Sequence, residues 1–346
     1  MNYLTYSLIL LFVSISVVAE ELPHVVILAT GGTIAGAGDS PTKSSYQAAK
    51  LPIDDVLNSV PQVYQLAEIS GEQVAQIGSQ AMSNDVWLKL ASRVDYHLRS
   101  NDVAGIVITH GTDTMEETAY FLSLVVASSK PVVLVGSMRP STSLSPDGAR
   151  NLYNAVAVAA SVKAEGYGPM VVMNDVILSA KNVTKANATQ INTFEARNSG
   201  ALGHVELGDV TFYQAPNKVK AVFAINSLKE LPQVDIIYGY ANASPVPVVA
   251  LVASGVRGIV NAGVGNGNFY PDVEQALTAA RSKGVVVVRS SRVGSGHVLR
   301  NSEVNDDKLD FIVADDLSPQ KARILLMLAL TKTKDPAQIQ QWFYDF

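Results

Sequence analysis

The chain has 346 residues, enough for two domains of ordinary size, and a formal net charge of -5. Hydrophobic residues make up 48% of it against 16% charged, which excludes a disordered or fibrous chain. The acidic balance, with no cluster of Lys or Arg able to follow phosphates, argues against nucleic acid as a partner.

Residues 1–19 come first. Their apolar run at 8–18 is too short to span a bilayer, and Val17-Val18-Ala19 offers small residues to a signal peptidase. The reading is a cleaved export signal and no stable membrane association, although no Lys or Arg precedes Lys43. Export usually permits disulfides, but the chain contains no cysteine, so stability has to come from packing and subunit interfaces.

From residue 25 onward the pattern alternates. Apolar segments at 25–29, 74–77, 105–109, 132–135 and 170–172 read as strands, with helices at 84–99, 116–127 and 147–160 between them. Strands that are Val/Ile-rich throughout indicate a parallel sheet covered on both faces. Asn84-Asp85 and Ser145-Pro146-Asp147 read as helix starts. Residues 178–231 are polar and lack long periodic runs, which fits hairpins and a connecting segment. A second series follows: strands at 234–238, 258–262 and 285–289, helices at 246–253 and 273–282, and a last helix from Ser318-Pro319 to about residue 330. The fold class is therefore α/β, with a larger N-terminal domain (20–215), a linker (216–232) and a smaller C-terminal α/β domain (233–346).

Ligands of open parallel sheets bind beyond the carboxyl ends of the strands. Thr33, Ser79, Thr112 and Asn268 all fall just past predicted strands. Thr33 follows Ala29-Thr30-Gly31-Gly32, an apolar strand entering a double glycine that lets the backbone turn sharply and approach a ligand. Thr112 repeats that grammar in Thr109-His110-Gly111-Thr112-Asp113. Two threonines at two strand ends suggest one shared site.

Other chemistries fail on detail. The glycines after Gly31 lack the Lys of a phosphate loop, and Gly263-Val264-Gly265-Asn266-Gly267-Asn268 lacks dinucleotide spacing. The five histidines form no H-E-x-x-H, so no metal or other cofactor is expected, and Ser295 sits in no G-x-S-x-G elbow. His110 reads as a structural hydrogen-bonding residue. What remains is a threonine nucleophile, which needs a base and an oxyanion site. Lys185 is a candidate base, since a desolvated lysine can be partly neutral, and Tyr46 follows a Gly/Ser-rich stretch at 36–45 that reads as a lid.

The two threonine motifs, together with Gly78-Ser79-Gln80, Met138-Arg139-Pro140, Tyr240-Ala241-Asn242, Gly265-Asn266-Gly267-Asn268, Arg289-Ser290-Ser291-Arg292 and Pro319-Gln320-Lys321-Ala322-Arg323, make the chain resemble the bacterial periplasmic type II L-asparaginases. The resemblance covers almost everything after residue 22. It implies that Thr33 attacks the side-chain amide carbon with help from Tyr46, and that Thr112, Asp113 and Lys185 form a second hydroxyl-acid-lysine set. It also implies that Gly32, Ser79, Gln80, Thr112 and Asp113 bind the amino acid, with oxyanion donors near Gly32 and Thr112. Asn268 and Glu303 of a neighbouring subunit would complete each site, in a homotetramer built as a dimer of intimate dimers.

The implied substrate is L-asparagine with some L-glutamine hydrolysis, and the implied place is the periplasm. Ala81 stands where better-known members often carry an acidic residue, and the cysteines of some members are missing. A dual glutaminase-asparaginase is the nearest alternative. A periplasmic amino-acid binding protein, which needs no Lys185, is the remote one.

Overall fold

Five strands of the first half pair in parallel; the inner four are apolar on both faces with helices to cover them, while the fifth lies at the sheet edge and buries one residue. The computed structural model describes residues 21–42, 45–216 and 223–346; the proposed export signal lies outside them. The parallel strands are β1 (His24–Gly31), β2 (Glu68–Ile77), β3 (Val103–Thr109), β4 (Val132–Val135) and β5 (Pro169–Met173). They form an eight-stranded sheet with β6 (Val176–Ser179), β9 (Gly203–Glu206) and β10 (Asp209–Phe212), in the order β10-β9-β6-β5-β4-β3-β1-β2. The last three are antiparallel. Asn174 and Asp175, at φ 50° and 65°, make the tight turn that sends β6 back along β5. Between β6 and β9 lies a two-strand ribbon, β7 (Thr184–Lys185) with β8 (Phe194–Glu195).

Helices α1 (Ile53–Asn58), α2 (Asn84–Leu98), α3 (Met115–Val125) and α4 (Gly148–Ala160) cover this sheet. Ser83, one residue earlier than the sequence indicates, caps α2 by accepting the Val86 N–H. The carboxylate of Asp147 does not cap α4. It accepts the N–H groups of Met138 and Arg139 instead, pinning the loop after β4.

The α/β expectation holds in the second unit as well. Strands β11 (Val234–Tyr238), β12 (Gly258–Gly263), β13 (Val286–Ser291) and β14 (Ile312–Val313) form a four-stranded parallel sheet in that order. Its helices are α5 (Val246–Ala253), α6 (Pro271–Ser282), α7 (Asp306–Leu309), α8 (Pro319–Ala329) and α9 (Pro336–Asp345). One apolar core is shared by both sheets. It joins Leu122 and Phe121 of α3 to Leu325 and Leu328 of α8, all fully buried. At about 1.5–3 kcal/mol for each fully buried large side chain, this seam gives strong reason for the units to stay together.

Candidate active site

Strand β1 ends in Gly31 and Gly32, both at positive φ, and Thr33 begins a short 3-10 turn. A Cβ on Gly32 would lie 2.3 Å from the Gly111 nitrogen, so only glycine lets the two threonine motifs meet. The buried Thr30 hydroxyl donates to the Thr109 carbonyl at 2.9 Å and stitches the motifs together from behind. Thr33 and Thr112 therefore stand at adjacent strand ends. Gly32 donates its own N–H to the Ile77 carbonyl at 3.0 Å. Its own amide is thus engaged, and its part is to permit the close approach.

Thr33 is 6% exposed, and its hydroxyl lies 2.8 Å from the Tyr46 hydroxyl. The segment carrying Tyr46 returns along the nucleophile turn. Ala37 and Gln47 exchange backbone bonds, Ala49 N–H reaches the Gly32 carbonyl, and Leu51 N–H reaches that of Ala35. These backbone bonds at Ala37, Gln47, Ala49 and Leu51 hold the residues flanking Tyr46 against the Thr33 turn.

The second set forms around Thr112. The Lys185 amine, at the end of β7, donates to Thr112 Oγ1 at 2.9 Å and to Asp113 Oδ1 at 2.6 Å. Asp113 N–H donates to Ser79 Oγ, whose own backbone carbonyl accepts from Thr114. Ser79 is buried beside Gly111, while Gln80 is exposed and folds back over Gly78. Asn268 donates to a carboxylate oxygen of Glu303, and among the described residues neither bonds to Thr33, Thr112, Asp113 or Lys185. The chain thus brings together Thr33 with Tyr46, and Ser79, Thr112, Asp113 and Lys185, but leaves Asn268 and Glu303 as a separate pair.

His110 is fully buried. Trp87 Nε1 donates to the Thr118 hydroxyl, which lies 2.9 Å from His110 Nε2, while Nδ1 lies 2.6 Å from the Gly111 carbonyl. A hydroxyl donating to Nε2 leaves the ring proton on Nδ1, directed at that carbonyl. Burial pulls the imidazole down to about 4, so it is neutral near pH 7. Nδ1 thus holds the Gly111 turn and Nε2 ties it to Thr118 of α3, in keeping with the structural role read from the sequence.

Reading the sequence missed Glu116. It lies in the first turn of α3, accepts the Lys185 N–H at 3.2 Å and accepts from the Gln320 amide at 2.7 Å. Its position in the Thr112 motif was legible, but its partners are 69 and 204 residues away. Its neighbour Glu117 is pushed up to about 7, chiefly by burial, with Arg323 lowering it and Glu116 raising it. Folded Glu117 therefore keeps a proton that the unfolded chain releases near 4.5, so its contribution to stability falls as pH rises from 4.5 to 7. Glu117→Gln is neutral in both states. Its stability relative to the parent should rise across that window by about 3 kcal/mol. Urea denaturation at pH 4.5 and 8 measures this, and an equal difference at the two pH values would exclude it.

Comparison with known proteins follows this geometry. The family model "Asparaginase, N-terminal" matches residues 24–218, and "Glutaminase/Asparaginase C-terminal domain" matches 233–343. The chain is 51% identical over 331 residues to L-asparaginase 2 of Escherichia coli (strain K12), covering 95% of this chain and 94% of that one. It is 50% identical over 331 residues to the glutaminase-asparaginase of Pseudomonas fluorescens biotype A, covering 94% and 91%. A crystal structure described as "Probable Cytoplasmic L-asparaginase from Campylobacter jejuni" superposes with a TM-score of 0.90 at 47% identity, covering 94% of this chain and 100% of that one.

Proposed function

The chain belongs to the asparaginase family, and on that premise we propose that it hydrolyses L-asparagine to L-aspartate and ammonia with Thr33 as nucleophile. The observation that supports this most is the meeting of two hydroxyl centres, Thr33–Tyr46 and Thr112–Asp113–Lys185, through the Gly32–Gly111 contact. Tyr46 relays the Thr33 proton, accepting it while passing its own phenolic proton on to the amide nitrogen; the Thr33 oxygen bonds to the side-chain amide carbon and the C–N bond breaks, giving an acyl-enzyme and ammonia. Lys185 and Asp113 prepare the Thr112 hydroxyl for its part in proton transfer and water attack. Ser79, Gln80 and Asp113 hold the α-carboxylate and α-amino group of the substrate, with Gly32 shaping the wall beside them.

Asn268 and Glu303 act in the site of a neighbouring subunit, in a homotetramer made of intimate dimers. Two features support a subunit contact. Val246 and Val249 of α5 are 66% and 61% exposed in a helix that is otherwise apolar, and the buried Oδ1 of Asn268 has no hydrogen-bond partner among the described residues. We keep the division into 20–215, a linker at 216–232, and 233–346. The apolar segment before residue 20 supports export to the periplasm with cleavage near Ala19.

A pocket fitted to asparagine discriminates against one more methylene by about 1–3 kcal/mol, so glutamine is hydrolysed more slowly. The similarity to a glutaminase-asparaginase supports the second reading, comparable activity on both amides. Ammonia release from the two amino acids decides. Turnover of asparagine at roughly 10–200 times the glutamine kcat/KM is expected. Equal rates favour the dual enzyme, and binding of either amino acid without ammonia release by folded protein would sink the enzyme reading.

A further inference from the structure

Lys185 sits at the end of a two-residue strand, β7, whose only ladder partner among the described residues is the equally short β8. Ribbons of that size have little stability of their own in water. Yet the Lys185 amine is held at hydrogen-bond distance from both Thr112 and Asp113. Something outside the ribbon has to fix its backbone.

The structure supplies that support from α8, in the C-terminal unit of the same chain. Lys321, 2% exposed, donates from Nζ to the carbonyl of Lys181 at 2.7 Å and to that of Val183. These carbonyls lie four and two residues before Lys185. The residue before it on α8, Gln320, donates to Glu116 Oε1, and Glu116 Oε2 accepts the Lys185 N–H. Glu116 in turn opens the helix that follows Thr112 and Asp113, the targets of the Lys185 amine. The result is a closed ring: Thr112–Asp113, Glu116, the Lys185 backbone, and the Lys185 amine back to Thr112–Asp113. Gln320 and Lys321 clamp it from outside.

We infer that Lys321, together with Glu116, is a positioning residue for Lys185, through which the C-terminal unit of each chain sets the amine of its own N-terminal site. The inference rests on the reading of Lys185 given above. Lys321 touches neither Thr112 nor Asp113, so it acts only through the backbone it holds. A methionine would fill the same volume without the cost of burying an ammonium, but it would take the amine from the buried Val183 carbonyl and the part-buried Lys181 carbonyl. The groups facing the Lys321 amine are Glu116, Glu117, Asp316 and Lys181; burial draws it down to about 8 while the three carboxylates hold it up. It is thus charged near pH 7, which suits a donor to two carbonyls.

The test uses ammonia release by the full mature protein across pH, with Lys185→Met as the reference. Lys321→Met should lower kcat by about 10–100-fold with KM within about threefold, because a displacement of the order of 1 Å is enough to cost that much. It should also move a limb of the parent's kcat profile against pH. The chain has no cysteine, so Lys321→Cys, unfolded, alkylated with 2-bromoethylamine and refolded, regains an amine at that one position. Restored kcat and pH limb support the inference. Lowered thermal stability with unchanged kcat per folded protein and an unmoved limb overturns it. Should Lys321→Met fail to fold, Glu116→Gln decides by the same two readouts. Full activity in Lys185→Met sinks the underlying reading of Lys185, whereas an inactive Lys185→Met beside an unaltered Lys321→Met sinks the positioning role alone.

Discussion

Thr33→Val is expected to lower ammonia release from L-asparagine by at least about 10³-fold while the protein stays folded. Valine keeps the β-branched shape and removes only the hydroxyl. The lost partner is the Tyr46 hydroxyl, and Tyr46 is 41% exposed, so water replaces the bond at a cost of about 1 kcal/mol or less. Activity and stability should therefore separate cleanly. Substrate binding should persist, because Ser79, Gln80 and Asp113 do not depend on that hydroxyl. Circular dichroism and asparagine binding by calorimetry check the fold and the pocket alongside the rate. Retention of a tenth or more of the parent kcat would remove Thr33 as the nucleophile and shift attention to Thr112.

The largest stability effect is expected at Asp306→Ala. Its carboxylate takes two bonds from Arg289, at 2.6 and 2.8 Å, and both side chains are 0% exposed. It also accepts the Asn301 N–H. Arg289 extends the network to the carbonyls of Asn266 at 2.8 Å and Leu299 at 3.0 Å. Removing the carboxylate leaves a buried guanidinium without its counter-charge, which costs about 3–5 kcal/mol. The joint replacement Arg289→Met with Asp306→Leu should recover much of that loss, since an apolar pair carries no desolvation penalty. Urea denaturation of the three proteins measures it; a single variant that loses under about 1 kcal/mol would contradict the account. The network also shapes the loops at 266–268 and 299–303, which carry Asn268 and Glu303. For Asp306→Ala a loss of asparagine turnover should accompany the loss of stability.

Much of the fold was legible because β1, β3 and β4 are continuous apolar runs, and only a strand buried on both faces demands that. Strand β2 was read only from residue 74, while it begins at Glu68. It is the sheet edge, and Val74 is its one buried residue, so most of its length carries no apolar signal. Helix α9 passed unread because it touches the core mainly through Ile339 and Phe343, too few apolar positions to establish a period. The hairpin of β5 and β6 carries a local sign of its turn, Asn174-Asp175 between two apolar runs.

By itself the sequence determined the α/β class, the two threonine motifs at strand ends and the family resemblance, because these are local patterns of residue type and spacing. The tertiary structure alone decided which side chains meet. Glu116 reaches Gln320 across 204 residues with no mark in the sequence, and Lys185 reaches Thr112 across 73, a pairing that only the family resemblance anticipates and no local pattern encodes. It also engaged the Gly32 amide with Ile77 and kept His110 neutral by burying it with both nitrogens bonded. The physical reason is the same each time. Periodicity and turn chemistry act over a few residues, whereas desolvation and hydrogen-bond partnership depend on what the folded chain brings within about 3 Å.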